Sequence, residues 1–300
     1  VSNAINRFYF KMGRRATTLD EQLILLRSRG MTLDLSEEKT KEILADIGYY
    51  RLGFYWHPFE IDKAHNFALG TKFSTIIYLY YLDADLRNLL IRYINRVEIH
   101  FRTKVVYLAS NFYPHLPAWF SNKNLIKCGF ISKLKILYTK EFIKKNKVLK
   151  KHHQKYLLDH YAPAWKTLEH LTFGEILYLY RNLEDDRLRS EISQSFGIKS
   201  LSKFESLIDS VRFLRNASAH GNVLFDYQFP KGIPSLPFLK VDSQQRHQLY
   251  TGIRVISFLL NEISANRKIA FENRLKELFE EVDDEQIRII IREKIGYNLE

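Results

Sequence analysis

An all-α, multi-helical bundle is the fold class that this 300-residue chain predicts. Three observations carry it. Apolar residues recur at three- and four-residue spacings through most of the chain, strand-like alternation is scarce, and no glycine-rich phosphate loop joins a strand pattern to a helix pattern. Hydrophobic residues make up 46%, as in a folded core, and the length suits one large or two modest domains.

The elements follow in order. Residues 5–12 read as a short opening segment. A helix is expected over Leu19–Arg29, because Thr18 can cap it, Glu21 stands at the third helical position, and Leu19, Leu23 and Leu26 share a face that Gly30 interrupts. Ser36 starts a second helix that carries Ile43, Leu44 and Ile47 inward and ends near Gly48. Tyr49–Glu60 is dense in aromatic residues and reads as a packing knot, with Arg51 and His57 as candidates for RNA or partner contacts. The longest helical pattern, 71–110, divides into a helix ending near Asp83 and another over Asp85–Ala109, in which Glu98 and Arg102 can pair on a solvated face.

Two prolines in Asn111–Pro117 close that region, and the chain then changes character. From Ser121 to Lys155 there are eleven lysines and one acidic residue, while Leu125, Ile126, Phe130, Ile131, Leu134, Leu137 and Phe142 keep helical spacing. A folded basic surface that attracts a polyanion is the expectation there. Helical patterns resume at Leu171–Leu183, from Leu201, at Arg246–Asn261 and from Ala265 onward, with a proline-rich loop at Phe229–Pro237. The expected organisation is an N-terminal helical and aromatic region at 1–70, a helical core at 71–260 that includes the basic 121–155 segment, and a charged helical extension at 261–300.

Composition narrows the function classes. There are 46 Lys and Arg against 34 Asp and Glu, a formal charge of +12 that favours anionic partners. Cys128 is the single cysteine, so neither an intrachain disulfide nor a thiolate metal cluster is available. His152, His153, His160 and His170 match neither a zinc finger nor an HExxH arrangement, and no metal or cofactor is expected. Without a basic-then-apolar leader or an apolar run of membrane-spanning length, a cytoplasmic protein with no membrane partner is expected.

The chemistry concentrates in LSKFESLIDSVRFLRNASAHGNVLF, residues Leu201–Phe225. Phe204, Leu207, Ile208, Val211 and Leu214 form an apolar stripe that ends in Arg215 and Asn216, with His220 following before Gly221. An arginine fork suits phosphate oxygens and a histidine moves protons near neutrality, so cleavage of RNA through its own 2'-OH is chemically accessible. Arg215 and His220 stand about 140° apart on a regular helix, while Asn216 and His220 share a face. Either the helix loosens, Arg215 reaches round, or a second subunit completes the site. Taken alone, the spacing fits capping, surface or packing residues better than catalysis.

Four ordered stretches add to this reading: GYYRLGFYWHPFE at Gly48–Glu60, LYYLDADLRNLLIRYINRVEIHFRT at Leu79–Thr103, LTFGEILYLYRNL at Leu171–Leu183 and LRNASAHGNVLF at Leu214–Phe225. Through them the chain resembles the abortive-infection family related to AbiD and AbiF, whose members carry a HEPN-type ribonuclease motif. The resemblance implies a HEPN-like helical bundle and a metal-independent endoribonuclease built by a homodimer. It also implies a catalytic set of Arg215, Asn216 and His220, and a small RNA or inhibitory protein that restrains it. A catalytically silent RNA-binding module and a protein-interaction scaffold are the alternatives.

Overall fold

The computed structural model describes residues 15–299, and the opening segment expected at 5–12 lies outside them. Among the described residues the regular structure is helical, with only isolated bridge pairs in extended conformation. The chain divides into two compact units, one up to Leu82 and one from Asp83.

In the first unit, α1 (Leu19–Ser28) has the capping box its sequence predicts. The Glu21 amide donates to Thr18 Oγ1 at 3.2 Å and the Thr18 amide donates to Glu21 Oε2 at 2.9 Å. Ser36 caps α2 (Glu37–Ile47), and Gly48, at φ +92°, turns the chain directly into α3 (Tyr49–Trp56). In this aromatic stretch Leu52 and Tyr55 are fully buried and Trp56 and Phe59 nearly so, while Tyr50 and Phe54 are exposed. Tyr55 meets Tyr80 edge-on at 5.1 Å and Trp56 meets Phe67 at 6.3 Å.

The expected break near Asp83–Asp85 does not occur. A single helix, α4, runs from Phe73 to Phe112, 40 residues that span the division between the units. No proline or glycine interrupts it, and the Asp83 carboxylate, near the expected end of the helix, is engaged by a distant loop.

In the second unit, the aromatic centre is Phe101 of α4, whose ring lies 5.9–6.2 Å from those of Phe173, Tyr180, Phe196 and Phe204. The basic segment folds as three short helices, α5 (Cys128–Leu137), α6 (Lys140–Lys145) and α7 (Lys147–Lys155). Phe130, Ile131 and Leu134 bury its inner face. Backbone bonds from Lys127 to the Asn182 carbonyl at 2.8 Å and from Glu184 to the Leu125 carbonyl at 2.9 Å hold the segment in place.

After the short α8 (Ala164–Thr167), α9 (Phe173–Arg181) begins in a Thr172–Glu175 capping box and α10 (Asp186–Gln194) in an Asp185 cap. The central α11 (Leu201–Ala219) follows, then α12 (Leu249–Ile263), α13 (Ala265–Glu280) and α14 (Glu285–Ile290). α13 buries Phe271, Leu275 and Phe279, and Phe271 meets Tyr93 of α4 at 5.0 Å.

Candidate functional site

The five residues of the predicted stripe on α11, from Phe204 to Leu214, are fully buried, which fixes the rotation of the helix. Its end is fixed just as firmly. Gly221 takes φ +68°, its amide donates to the Ser218 carbonyl at 3.3 Å, and the Asn222 amide donates to the Ala217 carbonyl at 2.9 Å. These two bonds form a Schellman ending, for which a side chain at Gly221 would be strained. His220 is the C-cap, just past the last helical residue Ala219, with its amide 3.0 Å from the Asn216 carbonyl and its side chain exposed.

Beyond the glycine, the loop is clamped from α4. The buried Asp83 carboxylate accepts from the amides of Leu224 at 2.8 Å and Phe225 at 3.0 Å and also pairs with Arg87. Arg87 in turn donates to the Asn222 carbonyl at 3.2 Å. Three turns further along α4, Glu98 holds Arg102 at 3.2 Å and faces Arg215, whose Nε lies 3.4 Å from its carboxylate. Arg102 also donates to the Leu171 carbonyl at 3.0 Å. The solvated Glu98–Arg102 face expected from the sequence is therefore a buried one: α4 turns both pairs toward α11, leaving Glu98 and Arg102 each under a tenth exposed.

A further polar network occupies α11 before Arg215. Glu205 receives Arg189 at 2.6 Å and Arg181 at 3.3 Å, and Asp209 receives Arg181 at 3.2 Å and Arg212 at 2.6 Å. Sequence reasoning missed Asp83, Arg87, Glu205 and Asp209 as supports of this helix. Asp83 and Arg87 sit on α4 and Glu205 and Asp209 on α11. The contacts that make them supports, to Asn222, Leu224 and Phe225 and to Arg181 and Arg189, join segments distant in the sequence.

Among the described residues, the side chains of Asn216 and His220 make no hydrogen bond within the chain, and Arg215 has only its ion pair with Glu98. Arg215 and Asn216 are half-buried and His220 is exposed. The helix stays regular through Ala219, so Arg215 does not gain the face of His220 by local loosening. Asn216 and His220 share a face, and Arg215, its Nε turned to Glu98, stands about 140° around the helix from His220.

The lysines of the basic segment contrast with this economy. Ten of the eleven are exposed, Lys133 being half-buried, and among the described residues none pairs with a carboxylate. Tyr156 and Trp165 stand beside them in the chain, 45% and 55% exposed. Arg51 instead donates to the Tyr55 hydroxyl at 3.2 Å, and His57 lies 2.9 Å from Glu60 with its ring largely in solvent.

Among the described residues no group of three or more His, Cys, Asp and Glu is placed to hold a metal. His152 lies 2.9 Å from Asp159 and 3.4 Å from Lys166, while His153 lies 2.8 Å from the Tyr138 hydroxyl. Burial, followed by the neighbouring His152, lowers the pKa of His153. Among the same residues no helix is long and apolar enough to cross a membrane.

Residues 42–226 match the family model described as Abi-like protein, a span that contains α4, the basic segment and α11. Neither a curated protein nor a solved structure matches the chain. The family match covers more than half of the 300 residues, and the chain belongs to the Abi-like family.

Proposed function

We propose that this Abi-like protein is a metal-independent endoribonuclease of abortive infection, with a HEPN-type site formed by Arg215, Asn216 and His220 of two copies of the chain. The observation that carries this reading is the end of α11. A buried stripe, a Schellman turn and the Asp83 clamp hold three polar side chains at a helix terminus where two of them have no partner in the chain. Such rigidity is costly for residues without a task.

In the proposed reaction the RNA 2'-oxygen forms a bond to the adjacent phosphorus while the bond to the 5'-oxygen breaks. His220 of one copy takes the 2'-proton, and a proton returns to the leaving 5'-oxygen, so that a cyclic phosphate and a free 5'-OH result. Arg215 neutralises charge on the phosphoryl oxygens and Asn216 orients the strand. Glu98 sets the approach of Arg215. The second copy supplies the residues that one helix keeps on a different face. The unpaired lysines of 123–155 concentrate RNA near the protein, and a regulatory small RNA or an inhibitory protein restrains the activity.

The separation of Arg215 from His220 around one helix favours a second reading, a silent RNA-binding module. Incubating wild-type protein and His220→Ala with total RNA in excess chelator, then mapping the ends, distinguishes them. Cuts made by the wild type alone, ending in cyclic phosphate, are expected. Equal cutting by both proteins would remove His220 from the mechanism, and tight binding without cutting by either would favour the module.

A further inference from the structure

Helix α13 lies outside the span shared with the family and runs antiparallel beside α4: Arg96 shares a cavity with Asn266 and Arg267 at its start, and Asp85 one with Glu281 just past its end. Between the helices run two cavities of about 410 and 380 Å³ that share Arg92. Together they make one groove on α4 from Asp85 to Arg96, about 16 Å long. Tyr93, which lines the groove, also meets Phe271 of α13 at 5.0 Å.

The charges along this groove are unequal. Arg92, Arg96 and Arg267 gather at one end with Asn266 and no carboxylate. At the other end Arg274 stands with Asp85, Glu277 and Glu281. Among the described residues none of these four arginines pairs with a carboxylate, although Arg92 lies 5.9 Å from the Tyr93 ring centre. Arg92 and Arg96 are four apart and exposed, a like-charged arrangement that is unfavourable by itself and is relieved by an anion from outside the chain.

We infer that the Arg92–Arg96–Arg267 end of the groove binds the phosphate backbone of an RNA strand, and that the carboxylates at the far end limit its footprint. Guanidinium forks from two helices that line the same cavity grip phosphodiester oxygens from both sides, and the Tyr93 ring backs the Arg92 guanidinium at 5.9 Å. The choice of RNA rests on the proposed function, but the surface does not. Arg92 and Arg96 lie about 120° and 160° around α4 from Glu98, so the groove faces away from Arg215 and acts as a separate anchor.

Binding of a fluorescent single-stranded RNA to the full chain tests this, in a His220→Ala background so that binding is read without cutting. The variant is Arg92→Gln with Arg96→Gln and Arg267→Gln. Loss of three phosphate contacts predicts about tenfold weaker binding and a salt dependence shallower by about 2 in log–log slope. Unchanged affinity and slope would overturn the inference, and would be the result if the groove took an acidic protein. Should the triple variant misfold on thermal melting, Arg96→Gln alone at its exposed position decides the matter, with a slope change of about 0.7 expected and none overturning it. The two readings fail separately. Lost binding by the groove variant of a protein that never cuts RNA leaves the groove standing, while an unaltered groove variant of a cutting protein removes the groove alone.

Discussion

Charge is used in opposite ways around α11 and in the basic segment. Along α11, Glu205 and Asp209 together hold three arginines, and Glu98 holds Arg102 and Arg215. Between Lys123 and Lys155, ten of the eleven lysines stand in solvent, and among the described residues none has a carboxylate partner. Buried charge pairs leave a costly unpaired group when one member is removed, whereas exposed lysines contribute little to the fold and remain free to meet phosphates. The contrast teaches which charges hold the shape and which face outward.

The sharpest way to break the contrast is Asp83→Ala. It leaves two loop amides and Arg87 without the carboxylate that joins them, and a loss of about 3–5 kcal/mol in urea-induced unfolding is expected. A loss below about 1 kcal/mol would mean that the clamp does not hold the loop. Glu205→Ala should cost less, about 1–3 kcal/mol, because Arg181 keeps Asp209 while Arg189 loses its shorter ion pair.

The opposite pattern is expected of Lys144→Gln with Lys145→Gln and Lys147→Gln. Stability should stay within about 0.5 kcal/mol, while RNA affinity, read by fluorescence anisotropy, falls about tenfold with a shallower salt slope. A large loss of stability with unchanged affinity would reverse the assignment of the two regions.

The smallest effect lies at Asp185, the cap of α10. Its hydrogen bond from Arg187 holds its pKa at about 2, below the ordinary 3.8. A depressed folded pKa means that the unfolded chain binds the proton more readily, so this contribution is present above about pH 3.8 and fades as the pH falls toward 2. Asp185→Asn should flatten that part of an acid-unfolding curve, and a curve unchanged in shape would remove the pair from the acid response.

Much of the helical order was legible because its causes are local. The Thr18–Glu21 box, the Ser36 cap, the stripe from Phe204 to Leu214 and the stop at Gly221 each depend on residues within one or two turns. The uninterrupted α4 was not legible, since the apolar pattern suggests a break near Asp83, whose carboxylate instead meets partners more than a hundred residues away. Of the candidate site, Arg215, Asn216 and His220 were readable as a spacing. Their supports, Asp83 and Glu98, were not readable as supports.

The sequence by itself determined an all-helical chain, the amphipathic rotation of α11, the place where that helix stops, and the density of positive charge between Lys123 and Lys155. Periodicity, caps and composition act over a few residues, and tertiary context leaves them intact. Only the tertiary structure decided that Asp83 would clamp an amide 141 residues away, that Glu98 would face Arg215, and that α13 would close an arginine groove on α4. Those choices depend on which helix faces meet when apolar surface is buried, and no local pattern in the chain records that meeting.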